Sequence, residues 1–293
     1  MEAFLAVSFD NISSRDTTRI RKGLRQIEGL LAQICLSRAA HQRKSSALAE
    51  QQHPPPKKLG ELKNDAAFRE FFRLQEGFQW NIASRLISTL ERLMGMGNPS
   101  HTDLLILSTL DLLHGILLLH PPSRCLFNRA DYMNLLLDLL DSTNPPKVQS
   151  QALLVLVSAL LDCPANTRTF ESIDGLLTVT SLFKSRNATK EVRMRTLEFL
   201  YFYLLPESVH TTTASAPNTA VLQRNPSKLG RNVPGHARTH SGDGGGGGRM
   251  DIDEPSGKRS MEEKQQLLGR YLSNVADLVH DLQESSPFGA VSA

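Results

Sequence analysis

Residues 163–207 read CPANTRTFESIDGLLTVTSLFKSRNATKEVRMRTLEFLYFYLLPE and contain two apolar helical patterns with a polar break between them. Asn166 is a suitable N-cap for the first pattern, in which apolar side chains recur every three or four residues. The break covers residues 185–190. The second pattern starts at Val192, and Pro206 ends it because proline cannot continue a helix. The stretch therefore predicts a helix–break–helix unit.

The same unit recurs upstream at a spacing of 43 residues. Pro164 and Phe170 are matched 43 positions earlier by Pro121 and Phe127. One step further back, four leucines precede their apolar counterparts by the same interval: Leu105, Leu110, Leu113 and Leu117. A helical unit of this length is typical of armadillo and HEAT arrays. We interpret the chain as an all-α, armadillo/HEAT-like helical array with disordered insertions and a C-terminal amphipathic helix; the alternative is a leucine-rich helical protein that aligns with itself by chance.

The helical periodicity is not interrupted by any sustained strand-like alternation. It predicts helices over 17–34, 66–94 with a boundary at Gly77, 101–119, 129–141, 146–162, 166–184 as two short helices that meet at Gly175, and 189–205. The predicted segments are an N-terminal helical segment of the array (1–36), a disordered insertion (37–64), an armadillo-like core (65–207), a disordered Gly/Ser/Pro/Thr-rich linker (208–260), an amphipathic helix (261–284) and a tail (285–293).

The last predicted helix of the array has an apolar surface that must be covered by other residues. Residues 199–205, FLYFYLL, are apolar on every side of a helix. The last helix of a solenoid normally carries a polar outer face, because no further repeat stacks on it. Either the helix over 261–284 folds back as an intramolecular cap, or a partner protein docks there. The two possibilities are compatible, and the sequence leaves both open.

Composition excludes several classes of partner. A net charge of +3 is too small to indicate nucleic-acid binding. The most apolar stretch, 104–119, contains Asp111 and His114 and is expected to be too short to span a bilayer. The N-terminus lacks the basic region of a secretory signal. The three cysteines are far apart in sequence and form no CxxC pair, which favours a reducing, cytoplasmic or nuclear compartment.

No enzyme signature is present in the sequence. Walker and kinase motifs are missing, and the glycine-rich run at 244–248 follows no strand. His236 and His240 are four residues apart, but the surrounding glycines and Pro234 argue against the helix that a zinc site of this spacing requires. No cysteine is followed six positions later by the arginine that a cysteine phosphatase needs. We expect no catalytic, cofactor or metal site.

The best candidates for binding a partner lie in the last array helix. Lysines and arginines cluster in the polar break and in the first turns of that helix. Inner helices of armadillo-like folds bind extended or helical partners. The predicted partner-binding residues are Lys190, Arg193, Glu198, Tyr201 and Tyr203. The alternative for each is an ordinary solvated position.

The segments CPANTRTFE, DGLLTVTSLFK and EVRMRTLEFLYFYLLPES closely resemble the fungal cell-division-control protein fourteen family, which is distinct from the phosphatase that shares its number. The resemblance continues through RIRKGLRQIEGLLAQICLS and FFRLQEGFQWNIASRLISTLERL. It covers about residues 20–37 and 68–208.

This resemblance implies a non-catalytic subunit of the septation initiation network. Members of the family bind and support a germinal-centre-class serine/threonine protein kinase, promote septum formation and cytokinesis, and associate with the spindle pole body. Other proteins of the network are implied as further partners. The family offers no catalytic residues to carry over. The alternative from another class is a generic armadillo-like adaptor for another protein or a targeting peptide.

Overall fold

The structure of the protein is a computed structural model that describes residues 1–36, 56–96, 99–207 and 258–285. All elements named below belong to one compact unit, which contains the described residues of Met1–Glu207 and Arg259–Ala293. Most of the predicted insertion (37–64), linker (208–260) and tail (285–293) lies outside the described residues, as do His236 and His240.

The described part of the chain is helical. The α-helices are α1 Glu2–Ile12, α2 Thr17–Cys35, α3 Leu59–Asn64, α4 Ala66–Glu76, α5 Ile82–Met94, α6 Pro99–Leu119, α7 Ala130–Asp138, α8 Pro146–Leu160, α9 Pro164–Ser172, α10 Gly175–Lys184, α11 Lys190–Leu204, α12 Met261–Gly269 and α13 Val275–Ser285. Two 3-10 helices span Phe78–Trp80 and Pro121–Asn128. Within the described ranges no strand forms, and one isolated β-bridge joins Leu36 to Pro56. The predicted all-α fold is confirmed.

Local signals set the ends of α11 close to where the sequence predicts them. The hydroxyl of Thr189 accepts a hydrogen bond from the backbone N–H of Val192 at 3.3 Å, which satisfies one of the unpaired donors at a helix start. The helix ends at Leu204, two residues before Pro206. The break between α9 and α10 is also confirmed: Asp174 adopts a left-handed φ of 60° directly before Gly175.

Three successive units contain three helices each. They are α4–α5–α6, then the 3-10 helix Pro121–Asn128 with α7 and α8, and then α9–α10–α11. The third helices stack in series, with α6 against α8 and α8 against α11, and α2 packs on the free side of α6. We call α2, α6, α8 and α11 the ladder helices. Fully buried residues such as Leu110, Leu156 and Phe199 form the core around them. This order is consistent with an armadillo-like array.

Helix α1 lies within the predicted N-terminal helical segment (1–36), but the periodicity predicted a helix there only over 17–34. Leu5 and Ile12 of α1 are fully buried, and α1 packs mainly on α2. Gly23 of α2 makes this packing possible, because a Cβ atom at that position would lie 2.6 Å from the side chain of Ile12. The first ladder helix is therefore covered by α1.

The predicted disordered insertion, 37–64, needs correction at its C-terminal end. Residues 56–64 belong to the described part of the chain, and α3 forms within them. Leu62 is 6% exposed, and the Lys57 ammonium binds the carboxylate of Asp65 at 2.5 Å and the Ile34 carbonyl at 2.8 Å. One buried leucine and one ion pair hold this short segment in place. Its sequence remains mostly polar, so composition alone does not reveal that it is ordered.

The single helix predicted over 261–284 is two helices, α12 and α13, separated by a turn. The apolar spacing continues through that turn, so the pattern alone could not reveal it. The Lys184 ammonium donates to the backbone carbonyl of Tyr271 at 2.5 Å. A carbonyl inside a continuous helix would be occupied by its own helical hydrogen bond.

Helix α6 is long and apolar enough to cross a membrane by length and composition alone. The window Thr102–Leu119 has a mean hydropathy of 1.7, so the expectation from the shorter stretch 104–119 was too strict. In the structure 44% of that window is buried, and α6 packs against α2, α5 and α8. A core helix of a soluble protein has the same properties.

Candidate functional site

The outward face of α11 carries four residues at helical spacing. Lys190, Met194, Leu197 and Tyr201 are separated by four, three and four positions, so they lie on one side of the helix. Lys190 is exposed and Met194 is 51% exposed, whereas Leu197 and Tyr201 are half-buried. We call these four residues the α11 stripe. The stripe is open at its N-terminal end and becomes covered toward its C-terminal end.

The sequence prediction does not include Met194. It stands between Arg193 and Arg195 in the basic cluster, which favours the charged residues as candidates. Its spacing from Lys190 and Tyr201 was the available signal, because it places an unprotected apolar residue at the centre of the predicted surface.

Two other predicted residues flank the stripe on the surface. Arg193 is exposed, and its guanidinium donates to the Ala188 carbonyl at 3.1 and 3.2 Å. Glu198 is exposed and accepts from Arg195 at 2.9 Å, one helical turn away. These contacts hold both side chains on the surface of α11 and leave them accessible.

The two predicted tyrosines face different environments. Tyr201 contacts α13, and burial followed by the nearby Asp281 carboxylate raises the pKa of its phenol. Tyr203 is 1% exposed, and its hydroxyl donates to Glu171 at 2.8 Å. Burial and then Glu171 raise the pKa of Tyr203. The structure thus places Tyr203 in the core, where no partner can reach it while the C-terminal helices remain docked.

The C-terminal helices cover the apolar end of α11. Both α12 and α13 pack against it. Their inward-facing side chains are at most 8% exposed: Leu268, Leu272, Val275, Leu278 and Val279. The surface that the sequence left without a cover is therefore occupied within the chain.

A group of charged residues lies at the junction of α9, α11 and α12. We call Arg168, Glu171, Glu207, Arg259 and Lys264 the junction cluster. Arg168 binds Glu171 at 2.7 Å and also contacts Glu207, and Arg259 binds Glu171 at 3.1 Å. Both carboxylates are 8% exposed.

Lys264 ties α12 to this cluster. Its ammonium lies 3.5 Å from the Glu207 carboxylate and donates to the Leu205 carbonyl at 2.9 Å. Burial lowers the pKa of Lys264, while Glu207 opposes that effect. Because these contacts hold the start of α12 on the end of α11, they limit the open part of the stripe to its N-terminal half.

Positively charged side chains lie near the open half of the stripe. Arg186 and Lys190 are exposed, and neither forms an ion pair within the part of the chain that the structure describes. Lys184 is occupied by the Tyr271 carbonyl, and Arg195 by Glu198. An exposed methionine beside unpaired cations suits an acidic segment with one apolar anchor.

Several ionisable residues outside the stripe and the junction cluster are packed inside the fold. No group of three or more potential metal ligands occurs among the described residues. His120 is 1% exposed, contacts Phe72 edge-on and pairs with the Ser123 hydroxyl at 2.8 Å. Burial raises the pKa of the Cys35 and Cys163 thiols, which keeps them in the unreactive protonated form.

Comparisons with known proteins identify the family to which the chain belongs. The model of the family described as "Cell division control protein 14, SIN component" matches residues 1–288. The chain is also similar to "Cell division control protein 14" of Schizosaccharomyces pombe (strain 972 / ATCC 24843), with 26% identity over 298 aligned positions that cover 99% of this chain and 97% of the relative. No solved structure matches the chain. With its helical array and its C-terminal helices included in the match, the chain belongs to the Cell division control protein 14, SIN component family.

Proposed function

We propose that the chain is a non-catalytic scaffold subunit that binds a germinal-centre-class serine/threonine protein kinase. Family membership supports a role in cell division as a component of the septation initiation network. The kinase, the promotion of septum formation and cytokinesis, and a position in the cytoplasm and at the spindle pole body are what the sequence resemblance implies.

The observation that carries the kinase contact is the open half of the α11 stripe. Met194 is 51% exposed in the second turn of a helix whose opposite face is fully buried. The C-terminal helices cover the same helix from Tyr201 onward but leave its first turns free. An apolar side chain kept exposed beside unpaired cations is the arrangement of an interface anchor with a polar rim.

The proposed partner segment is acidic and presents one apolar side chain to Met194. Lys190 and Arg193 attract the acidic groups, and Glu198 limits the orientations that the segment can adopt. Tyr201 lies at the edge of the contact beside α13, and Tyr203 takes no part because it is buried. A contact of this kind holds the kinase on the array without any catalytic group from the scaffold.

The test is the affinity of the purified full chain for a full-length germinal-centre-class kinase, with a Lys190→Glu/Met194→Asp variant beside the wild type. We expect the variant to lose at least tenfold in affinity, or about 1.4 kcal/mol, because it reverses one charge and places a carboxylate at the apolar anchor. Both positions are exposed, so the fold is retained.

The matched control is Lys63→Glu/Val7→Asp. Lys63 is exposed on α3, and Val7 of α1 is 51% exposed, the same fraction as Met194. This variant is expected to bind like the wild type. Equal affinity of both variants would remove the contact from α11. Failure of the wild-type chain to bind any such kinase would favour the generic adaptor.

A further inference from the structure

A groove runs between the first two ladder helices, α2 and α6, and holds about 560 Å³ of open space. It extends over two turns of each helix, or about 10 Å at 1.5 Å per residue. The next ladder helix, α8, lies on the other side of α6 and separates the groove from α11. The groove is therefore distinct from the proposed kinase contact.

One wall of the groove is apolar and accessible. Leu104 is 64% exposed, while Leu107 and Leu112 are half-buried beside it. Leu24 and Leu105 are buried and form the floor. Apolar side chains at several depths in a groove between two helices suit the apolar face of a third helix.

The charge of the lining residues changes from positive to negative along the groove. Arg21 and Arg25 line the part that belongs to the N-terminal side of α2, and Glu28 follows one turn later. Glu28 and Asp111 are close enough for Glu28 to raise the pKa of Asp111, although burial is the larger cause. The two carboxylates thus lie toward one end of the groove and Arg21 lies toward the other, with Arg25 one turn from Glu28.

Neither arginine is neutralised within the chain as described. The ion pairs formed by the described residues include neither Arg21 nor Arg25. At the other end, the residue of α2 beside Asp111 is Glu28, a carboxylate and not a cation. His114 also lies near enough to Asp111 to lower the pKa of that carboxyl group. An occupant with a negative end and a positive end would satisfy both groups.

We propose that this groove binds an amphipathic α-helix of a second partner protein. The helix carries acidic residues in its first turn toward Arg21 and Arg25, apolar residues spaced three and four apart against Leu104, and basic residues in its last turn toward Glu28 and Asp111. That charge order also stabilises the helix itself, since acidic residues favour its N-terminus and basic residues its C-terminus. The array then joins two proteins at opposite sides of its ladder.

The probe is a fluorescein-labelled helical peptide with glutamates in the first turn, leucines at i, i+3, i+4 and i+7, and lysines in the last turn. A second peptide has the glutamates and lysines exchanged. Fluorescence anisotropy measures the affinity of each peptide for the full chain. We expect saturable binding of the first peptide and a loss of at least tenfold in the Leu104→Asp variant, whose site is exposed enough to leave folding intact.

Charge reversal provides an independent readout. In an Arg21→Glu/Arg25→Glu variant, the preference for the first peptide over the second is expected to fall at least tenfold. Differences in peptide helicity cancel in this ratio, because each peptide is compared with itself on two proteins. The control, Val7→Asp, is expected to keep the wild-type affinity for both peptides.

Several outcomes would overturn the assignment. They are the absence of saturable binding of either peptide, equal binding by the wild type and Leu104→Asp, and an unchanged peptide preference after charge reversal. A wild-type dimer that Leu104→Asp converts to a monomer in sedimentation would make the groove an interface between copies. Loss of kinase affinity in Leu104→Asp would make it part of the kinase contact, whereas retention of that affinity keeps the two sites separate.

Discussion

Replacement of Glu207 by glutamine should loosen the C-terminal helices without unfolding the array. Glu207 is 8% exposed and contacts Arg168 and Lys264, and it accepts a hydrogen bond from the backbone N–H of Arg259 at 3.0 Å. Glutamine keeps the shape and one acceptor but removes the charge. Three cations of the junction cluster then share only Glu171.

The size of the effect follows from burial. Removal of one partner from a buried ion pair typically costs about 3–5 kcal/mol. Because Arg168 and Arg259 remain 28% and 29% exposed, water screens part of the loss, and we expect about 2–3 kcal/mol. At one factor of ten for about 1.4 kcal/mol, the undocked state becomes roughly 30 to 140 times more populated.

Hydrogen exchange measures this population directly. Helices as short as α12 and α13 are marginal in isolation, so their amides exchange when the pair undocks. The exchange of these amides in Glu207→Gln should accelerate by the factor above, while amides of α6 and α8 keep their rates. The matched control is Glu198→Gln on α11, which removes an exposed ion pair and should change exchange little. Unchanged exchange of α12 and α13 in Glu207→Gln would refute the role of the cluster.

Further predictions concern the core of the array. Gly175→Ala places a Cβ atom 2.3 Å from the Phe170 ring and 2.6 Å from its carbonyl oxygen, so the urea midpoint should correspond to a loss of about 1–3 kcal/mol; a neutral result would contradict the close packing. Tyr203→Phe removes the hydrogen bond to Glu171 and should cost about 1–2 kcal/mol in the same assay, and no loss would mean that the bond contributes nothing. Burial lowers the pKa of His120 to about 4; since the unfolded chain takes up that proton from about pH 6.5 downward, stability should fall as the pH drops from 6.5 to 4. The urea midpoint of the wild type should therefore decrease more between pH 6.5 and 4.5 than that of His120→Gln, and equal decreases would contradict this assignment.

The ends of α11 were predictable because local chemistry sets them. Thr189 caps the helix and Pro206 stops its continuation, and both signals act over a few residues. The split at Gly175 was also visible, because a glycine after an aspartate in a short apolar pattern favours a turn. Local signals of this kind do not depend on which elements later pack together.

The depth of the tyrosines was not predictable. Residues two apart on a helix point about 200° away from each other, so Tyr201 and Tyr203 must face opposite sides. The run 199–205 is apolar on every side, and nothing in it indicates which side meets the core. Only the packing of this side chain against α9 and α12 determines that Tyr203 is buried.

The junction cluster and the turn between α12 and α13 depend on contacts between distant residues. Glu171 and Arg259 are far apart in the sequence, with most of the linker between them. Each is a charged residue of a kind that is common on protein surfaces. Lys184 binds the Tyr271 carbonyl across 87 residues. Periodicity and capping rules describe single segments and therefore contain no information on such pairs.

The most direct test of the kinase-scaffold proposal is hydrogen exchange of the full chain with and without a bound germinal-centre-class kinase. We expect slower exchange in the first turns of α11, around Lys190 to Met194, because the kinase covers the open half of the stripe. Complex formation with unchanged exchange in those turns, and with slower exchange confined to other helices, would contradict it.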